Sequence, residues 1–163
     1  MSTLFVNNLN TASGSTITVP TGKKLIVTDE GALTAPGMIL QTVRSEYRTY
    51  TTITSTSFVA TGLTGTITPK FSNSKILITL LVNGLFNTGS AKFVSLSLYK
   101  ASSSIAVLDT SVGYNTSGDE ISYGIHSHCY QHEDSPSTTS ATTYTLYWKT
   151  SANTAGINNY NAL

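Results

Sequence analysis

Apolar and polar residues alternate along most of the chain, and no stretch of useful length repeats its apolar positions at helical spacing. Ile76, Ile78, Leu80 and Val82 fall on one side of an extended segment. Leu77 and Leu81 fall on the other, which predicts a strand covered on both faces. Val94, Leu96 and Leu98 point inward in the next run, with Ser95 and Ser97 outward, and Tyr144, Leu146 and Trp148 repeat the pattern. Gly, Asn, Ser and Pro separate these runs. The predicted strands cover 38–44, 49–54, 62–68, 75–82, 92–99, 104–109, 121–132 and 142–149, with polar loops at 87–91, 113–119 and 133–141. The fold class that follows is all-β, an antiparallel β-sandwich or jelly roll over residues 38–163.

Residues 1–37 carry a thinner pattern and read as a short-stranded N-terminal β-arm. Apolar pairs at Leu4 and Val6, Ile17 and Val19, and Leu25 and Val27 each sit at alternate positions. Turn residues lie between them at Asn7-Asn8, Ser13-Gly14, Pro20-Thr21-Gly22 and Asp29-Glu30-Gly31, and Ala35-Pro36-Gly37 closes the arm. Such short strands cannot bury a core alone. Val6, Ile17, Val19, Leu25, Val27 and Leu33 form a sparse apolar file, and leaving each in water forgoes roughly 1.5–3 kcal/mol. The arm is therefore predicted to serve attachment or trimerisation, with a homotrimer as the economical way to cover the file. A groove on another protein is the alternative.

Composition sharpens this picture. Charged residues are 10% of the chain against a typical ~25%; of the 28 Thr and 22 Ser, the threonines favour strands, because a branched Cβ fits a pleated surface. The hydrophobic 39% falls in patterned runs, which argues against disorder. The net charge is +1 and Lys23-Lys24 is the only adjacent basic pair, so there is no electrostatic footprint for nucleic acid. Cys129 is the single cysteine, so no intrachain disulfide forms. Residues 1–20 show no signal-peptide pattern, and no window of about 18 apolar residues predicts membrane insertion.

Three stretches resemble small Ser/Thr-rich virion structural proteins and fibre domains of tailed phages, many of them from marine cyanobacterial phages. The first is Thr16-Ile-Thr-Val-Pro-Thr-Gly-Lys-Lys-Leu25. The second is Ser55-Thr-Ser-Phe-Val-Ala-Thr-Gly-Leu63, followed by Ile67-Thr-Pro and Ser74-Lys-Ile-Leu77. The third is Asp134-Ser-Pro-Ser-Thr-Thr-Ser-Ala-Thr-Thr-Tyr144. The resemblance implies a virion surface protein without catalytic residues, a tail fibre or similar appendage acting in host attachment. A capsid decoration protein, with the arm lying along capsid subunits, is the alternative. Expected partners are two further copies of the chain, other virion proteins, and a host-surface glycan or protein. Release by lysis would bring such a protein to the outside without a secretion signal. Similar proteins close with a further hydrophobic strand after the region of Ile157, where this sequence ends at Asn161-Ala-Leu163.

Candidate chemistry concentrates in Ile125-His-Ser-His-Cys-Tyr-Gln-His-Glu-Asp134. Alternation places His126, His128, Tyr130 and His132 on one face, and Tyr123, Ile125 and Cys129 on the other. The simplest expectation is a polar outer histidine face, with Cys129 in the core as a small apolar residue. A metal site is the sharper one. His-x-His motifs in some phage fibre shafts meet at a trimer axis around one ion, and His126-Ser-His128 has that spacing. No other cofactor is implied. A Cys–His nucleophile is disfavoured, because His128 and Cys129 are adjacent and point oppositely. The acid pairs Asp29-Glu30, Asp119-Glu120 and Glu133-Asp134 read as turn and solubility residues. Gly62-Leu-Thr-Gly65 has no helix after it, so it is no phosphate loop. Tyr47, Tyr50, Tyr114, Tyr123, Tyr130 and Tyr160 are expected on polar faces and loops, where a tyrosine can stack on a sugar or anchor a protein contact.

Overall fold

The computed structural model describes residues 19–26, 37–88, 92–112 and 126–157. The chain divides into two compact units, Met1–Leu40 and Gln41–Leu163. In the first, Pro20-Thr21-Gly22-Lys23 forms a turn closed by the Lys23 N–H donating to the Pro20 carbonyl at 3.0 Å. Gly22 adopts φ +76°, the value that the third position of this turn requires and glycine supplies without steric cost. Val19, Leu25 and Ile26 are exposed, and residues 19–26 contain no strand. Val6, Ile17, Val27 and Leu33 lie outside the described residues, as do Asp29-Glu30, Asp119-Glu120, Tyr114, Tyr123 and Tyr160.

Among the described residues, the second unit holds eight strands: β1 (Thr51–Ile53), β2 (Val59–Ile67), β3 (Ile76–Asn87), β4 (Val94–Lys100), β5 (Ser103–Val112), β6 (His126–Asp134), β7 (Thr142–Thr150) and β8 (Ala155–Ile157). They form two antiparallel four-stranded sheets packed as a β-sandwich, in the orders β1-β8-β3-β6 and β2-β7-β4-β5. Among the described strands, only β4 and β5 make a hairpin, and every other step between successive strands changes sheet. Side chains of period two therefore enter one shared interior from both sides. Strand β7 shows this most regularly: Thr142, Tyr144, Leu146, Trp148 and Thr150 are buried and the residues between them are half-buried. Val82 and Leu85 of β3, Val94 and Leu96 of β4, and Ala155 and Ile157 of β8 complete the core around Trp148 and Leu146.

Two side-chain devices serve the strands where their ladders break or end. Strand β2 bulges between Ala60 and Thr64, so that Thr61, Gly62 and Leu63 oppose the one residue Leu146. The buried Thr61 hydroxyl replaces the missing ladder bonds by donating to the Leu146 carbonyl (2.9 Å) and accepting from the Leu63 N–H (3.0 Å). Gly62 sits at φ +97° beneath the Tyr47 ring, where a Cβ would meet Cε2 at 2.6 Å. At the other end of the sandwich, Asn87 donates to the Thr150 hydroxyl (2.7 Å) and to the Ala152 carbonyl (3.2 Å), tying β3 to the end of β7.

Four expectations are corrected. Residues 38–44 form no strand, because the following segment lays Tyr47 and Ser45 over Gly62 and Gly65 of β2 without a ladder. Strand β8 was not predicted, because Ala155-Gly-Ile157 offers only two inward side chains. Ser95 and Ser97 are buried rather than solvated, since their hydroxyls bond to the Thr110 and Ala106 carbonyls of β5. Leu77 and Leu81, expected under a covering layer, stand 66% and 62% exposed.

Candidate functional site

The predicted histidine segment is β6, at the edge of the first sheet, in register His128↔Val82, Tyr130↔Leu80 and His132↔Ile78 with β3. The alternation holds, but the faces are reversed from the expectation. His128, Tyr130, His132 and Asp134 are half-buried, while Ser127, Cys129, Gln131 and Glu133 are exposed. The reason lies in Tyr130. Its ring packs on the core and its hydroxyl donates to Asp109 of β5 in the opposite sheet at 3.2 Å. A phenol ring buries far more area than a thiol, so the strand turns this face inward and leaves Cys129 outside. The His128 ring stacks parallel to Tyr130 at 6.0 Å. His126 takes the register position opposite Leu85. Among the described residues, no group of three His, Cys, Asp or Glu side chains gathers to hold a metal.

The same inward face ends in a second cross-sheet contact. Both oxygens of Asp134 accept from the Lys100 ammonium (3.0 and 3.1 Å), and Oδ2 also accepts from the Tyr144 hydroxyl at 2.6 Å. Burial works against the Asp134 charge, but the Tyr144 and Lys100 hydrogen bonds and the Lys100 charge outweigh it and hold the carboxyl below its ordinary value of 3.8. Burial raises the Tyr144 phenol, and its bond to Asp134 raises it further. Burial likewise raises Tyr130, reinforced by the Asp109 charge and hydrogen bond. These groups are thus fixed as donors and acceptors of one another. Both pairs cross between the sheets and act as structural ties.

The outer face of the second sheet has a different chemistry. Tyr99 and Tyr147 stack at 3.9 Å with planes 19° apart, Phe58 tilts against Tyr99 at 6.3 Å, and the Lys149 ammonium lies 4.9 Å from the Phe58 ring. Beside them, hydroxyls pair across β2 and β7: Thr64 with Thr145 (3.0 Å) and Thr66 with Thr143 (2.8 Å). All four members of the aromatic–lysine cluster are half-buried, so part of each remains accessible. Of the tyrosines expected at the surface, Tyr50 is exposed and stacks at 6.3 Å on Phe86, whereas Tyr130 is inside. Sequence reasoning missed Tyr99 and Tyr147. The signal was available: inward Leu98 and inward Leu146 and Trp148 leave Tyr99 and Tyr147 on the opposite face.

No protein-family model matches the chain, and no curated protein is significantly similar to it.

Proposed function

We propose that this chain is a non-catalytic virion surface protein of a tailed phage, a tail fibre or similar appendage that works in attachment. The observation that carries the reading is the half-buried, partly accessible cluster of Phe58, Tyr99, Tyr147 and Lys149 beside a hydroxyl ladder on the outer face of the second sheet. Aromatic rings with hydroxyls and one cation suit the apolar faces and hydroxyl edges of a surface saccharide, or a protein contact anchored by tyrosine. The likeness of three stretches to phage fibre proteins supports the virion setting. The arm, with Val19, Leu25 and Ile26 in the open, is the attachment element, and a homotrimer is the assembly proposed for it. The decoration reading draws on the same exposed arm, which would suit a groove between capsid subunits.

The test is binding of the fluorescently labelled full-length protein to host cells, with Tyr99→Ala and Tyr147→Ala as variants. Loss of cell binding with unchanged folding is expected. Binding equal to the original chain would remove the aromatic face from the function. Gold-labelled antibody on intact particles then separates a tail position from one spread over the head.

A further inference from the structure

We propose that the aromatic face of the second sheet binds an acidic saccharide, with the Lys149 ammonium taking a carboxylate of the sugar. The inference rests on the reading of this face as the attachment surface, and it names the class of ligand. Strand β7 alternates throughout, so Thr143, Thr145, Tyr147 and Lys149 share the outer face while Tyr144, Leu146 and Trp148 fill the core. The four strands of this sheet carry three charged residues, Lys100, Asp109 and Lys149. Lys100 and Asp109 reach across to Asp134 and Tyr130 of the first sheet. Lys149 alone keeps its charge on the outer face, with its ammonium 4.9 Å from the centre of the Phe58 ring.

No described carboxylate neutralises this cation. Glu46 is turned to Arg44 and Arg48, and Glu133 to Lys75. Asp109 accepts from Tyr130, and Asp134 from Lys100 and Tyr144. The hydroxyl of Ser95, the register partner of Lys149 on β4, donates to the Thr110 carbonyl. The Phe58 ring steadies the ammonium through its quadrupole but has no net charge to cancel it. The face thus presents one placed positive charge beside the Tyr99–Tyr147 stack and the threonine hydroxyls. Its complement is a ligand with an apolar face for the rings, hydroxyls at its edge, and a negative charge alongside. A sugar acid combines all three in one residue. A neutral sugar leaves the cation unmatched.

Binding of the full-length protein to surface polysaccharide purified from host cells tests this, before and after the polysaccharide carboxyls are converted to neutral amides. Amidation should weaken binding roughly tenfold, the loss expected for one hydrogen bond between charged groups. Lys149→Gln should weaken binding to the native polysaccharide by a similar factor and no longer distinguish the two forms. Equal binding of the original chain to both forms overturns the inference, as does a Lys149→Gln variant that still prefers the native form. The attachment reading survives either result if Tyr99→Ala and Tyr147→Ala still lose cell binding. Binding to cells but not to their purified polysaccharide overturns the inference in favour of a protein partner. No binding to cells removes the inference and the reading together. Amidation alters only the ligand, so that comparison stands even if Lys149→Gln fails to fold.

Discussion

Tyr144 of β7 donates a 2.6 Å hydrogen bond to Asp134 of β6 across the gap between the two sheets. Tyr130 of β6 makes the reverse contact, donating at 3.2 Å to Asp109 of β5. Each sheet thus supplies one phenol and one carboxylate. Beside the apolar core, these pairs favour one placement of the sheets, because a shift of either would part a half-buried carboxylate from its phenol donor.

The Asp134 tie makes the fold sensitive to acid. Its carboxyl titrates below 3.8 in the folded protein, so its stabilisation is complete above that value and is lost as pH falls through the lower folded value. Tyr144→Phe removes one of the two side-chain donors. It should cost about 1–2 kcal/mol near neutral pH, where the charge is present, and start the acid loss at a higher pH. Urea denaturation of both proteins at neutral pH and at pH 3 checks this: the difference between them should shrink at the lower pH.

The two phenols set an alkaline limit by the opposite sign. Tyr130 and Tyr144 both titrate above the ordinary value of 10.0 in the fold. Their stabilisation is complete below pH 10 and is lost as pH rises toward the folded values. Absorbance of phenolate should still be rising well above pH 10, and Tyr130→Phe should diminish that late rise.

Much of this architecture was legible in the sequence, and the misses have physical causes. Strands with several large inward residues, such as Val94-Leu96-Leu98 and Tyr144-Leu146-Trp148, announced themselves, because period-two alternation is what a half-buried sheet requires. The face of β6 did not. Histidine and cysteine carry little hydrophobic contrast, and the ring that decided the matter, Tyr130, was grouped with the polar residues. The cross-sheet ties were invisible for another reason: Asp134 with Lys100 and Tyr130 with Asp109 are joined by topology, not by spacing along the chain. Of the candidate site, the alternation held both tyrosines, Tyr99 and Tyr147, but their stacking depended on which strands became neighbours.

Gly156 is a steric requirement of the ring above it. It pairs with Phe86, and a Cβ at Gly156 would lie 2.0 Å from Phe86 Cε1. Gly156→Ala should therefore destabilise by about 1–3 kcal/mol, the usual cost of overpacking. Adding Phe86→Leu to that variant should restore part of the loss, so that the double change costs less than the two single ones together. Thermal denaturation of the four proteins in the cycle measures the coupling, and strict additivity would contradict the contact.

The bulge of β2 offers the cleanest contrast between two chemically identical residues. Thr61 and Thr64 are three residues apart on one strand, and both hydroxyls bond to carbonyls of β7, at Leu146 and Tyr144. Thr61 is 2% exposed, and its hydroxyl also satisfies the Leu63 N–H, so Thr61→Val leaves a half-buried donor without its partner and takes one partner from a buried acceptor. That should cost about 2–3 kcal/mol. Thr64 is exposed, and water replaces its hydroxyl in Thr64→Val, so the change should stay within about 0.5 kcal/mol. Valine has nearly the shape of threonine and suits a strand at least as well, so neither packing nor strand preference accounts for a difference. Chemical denaturation of the two variants reads it directly. Equal stabilities would mean that the Thr61 hydroxyl does not hold the bulge.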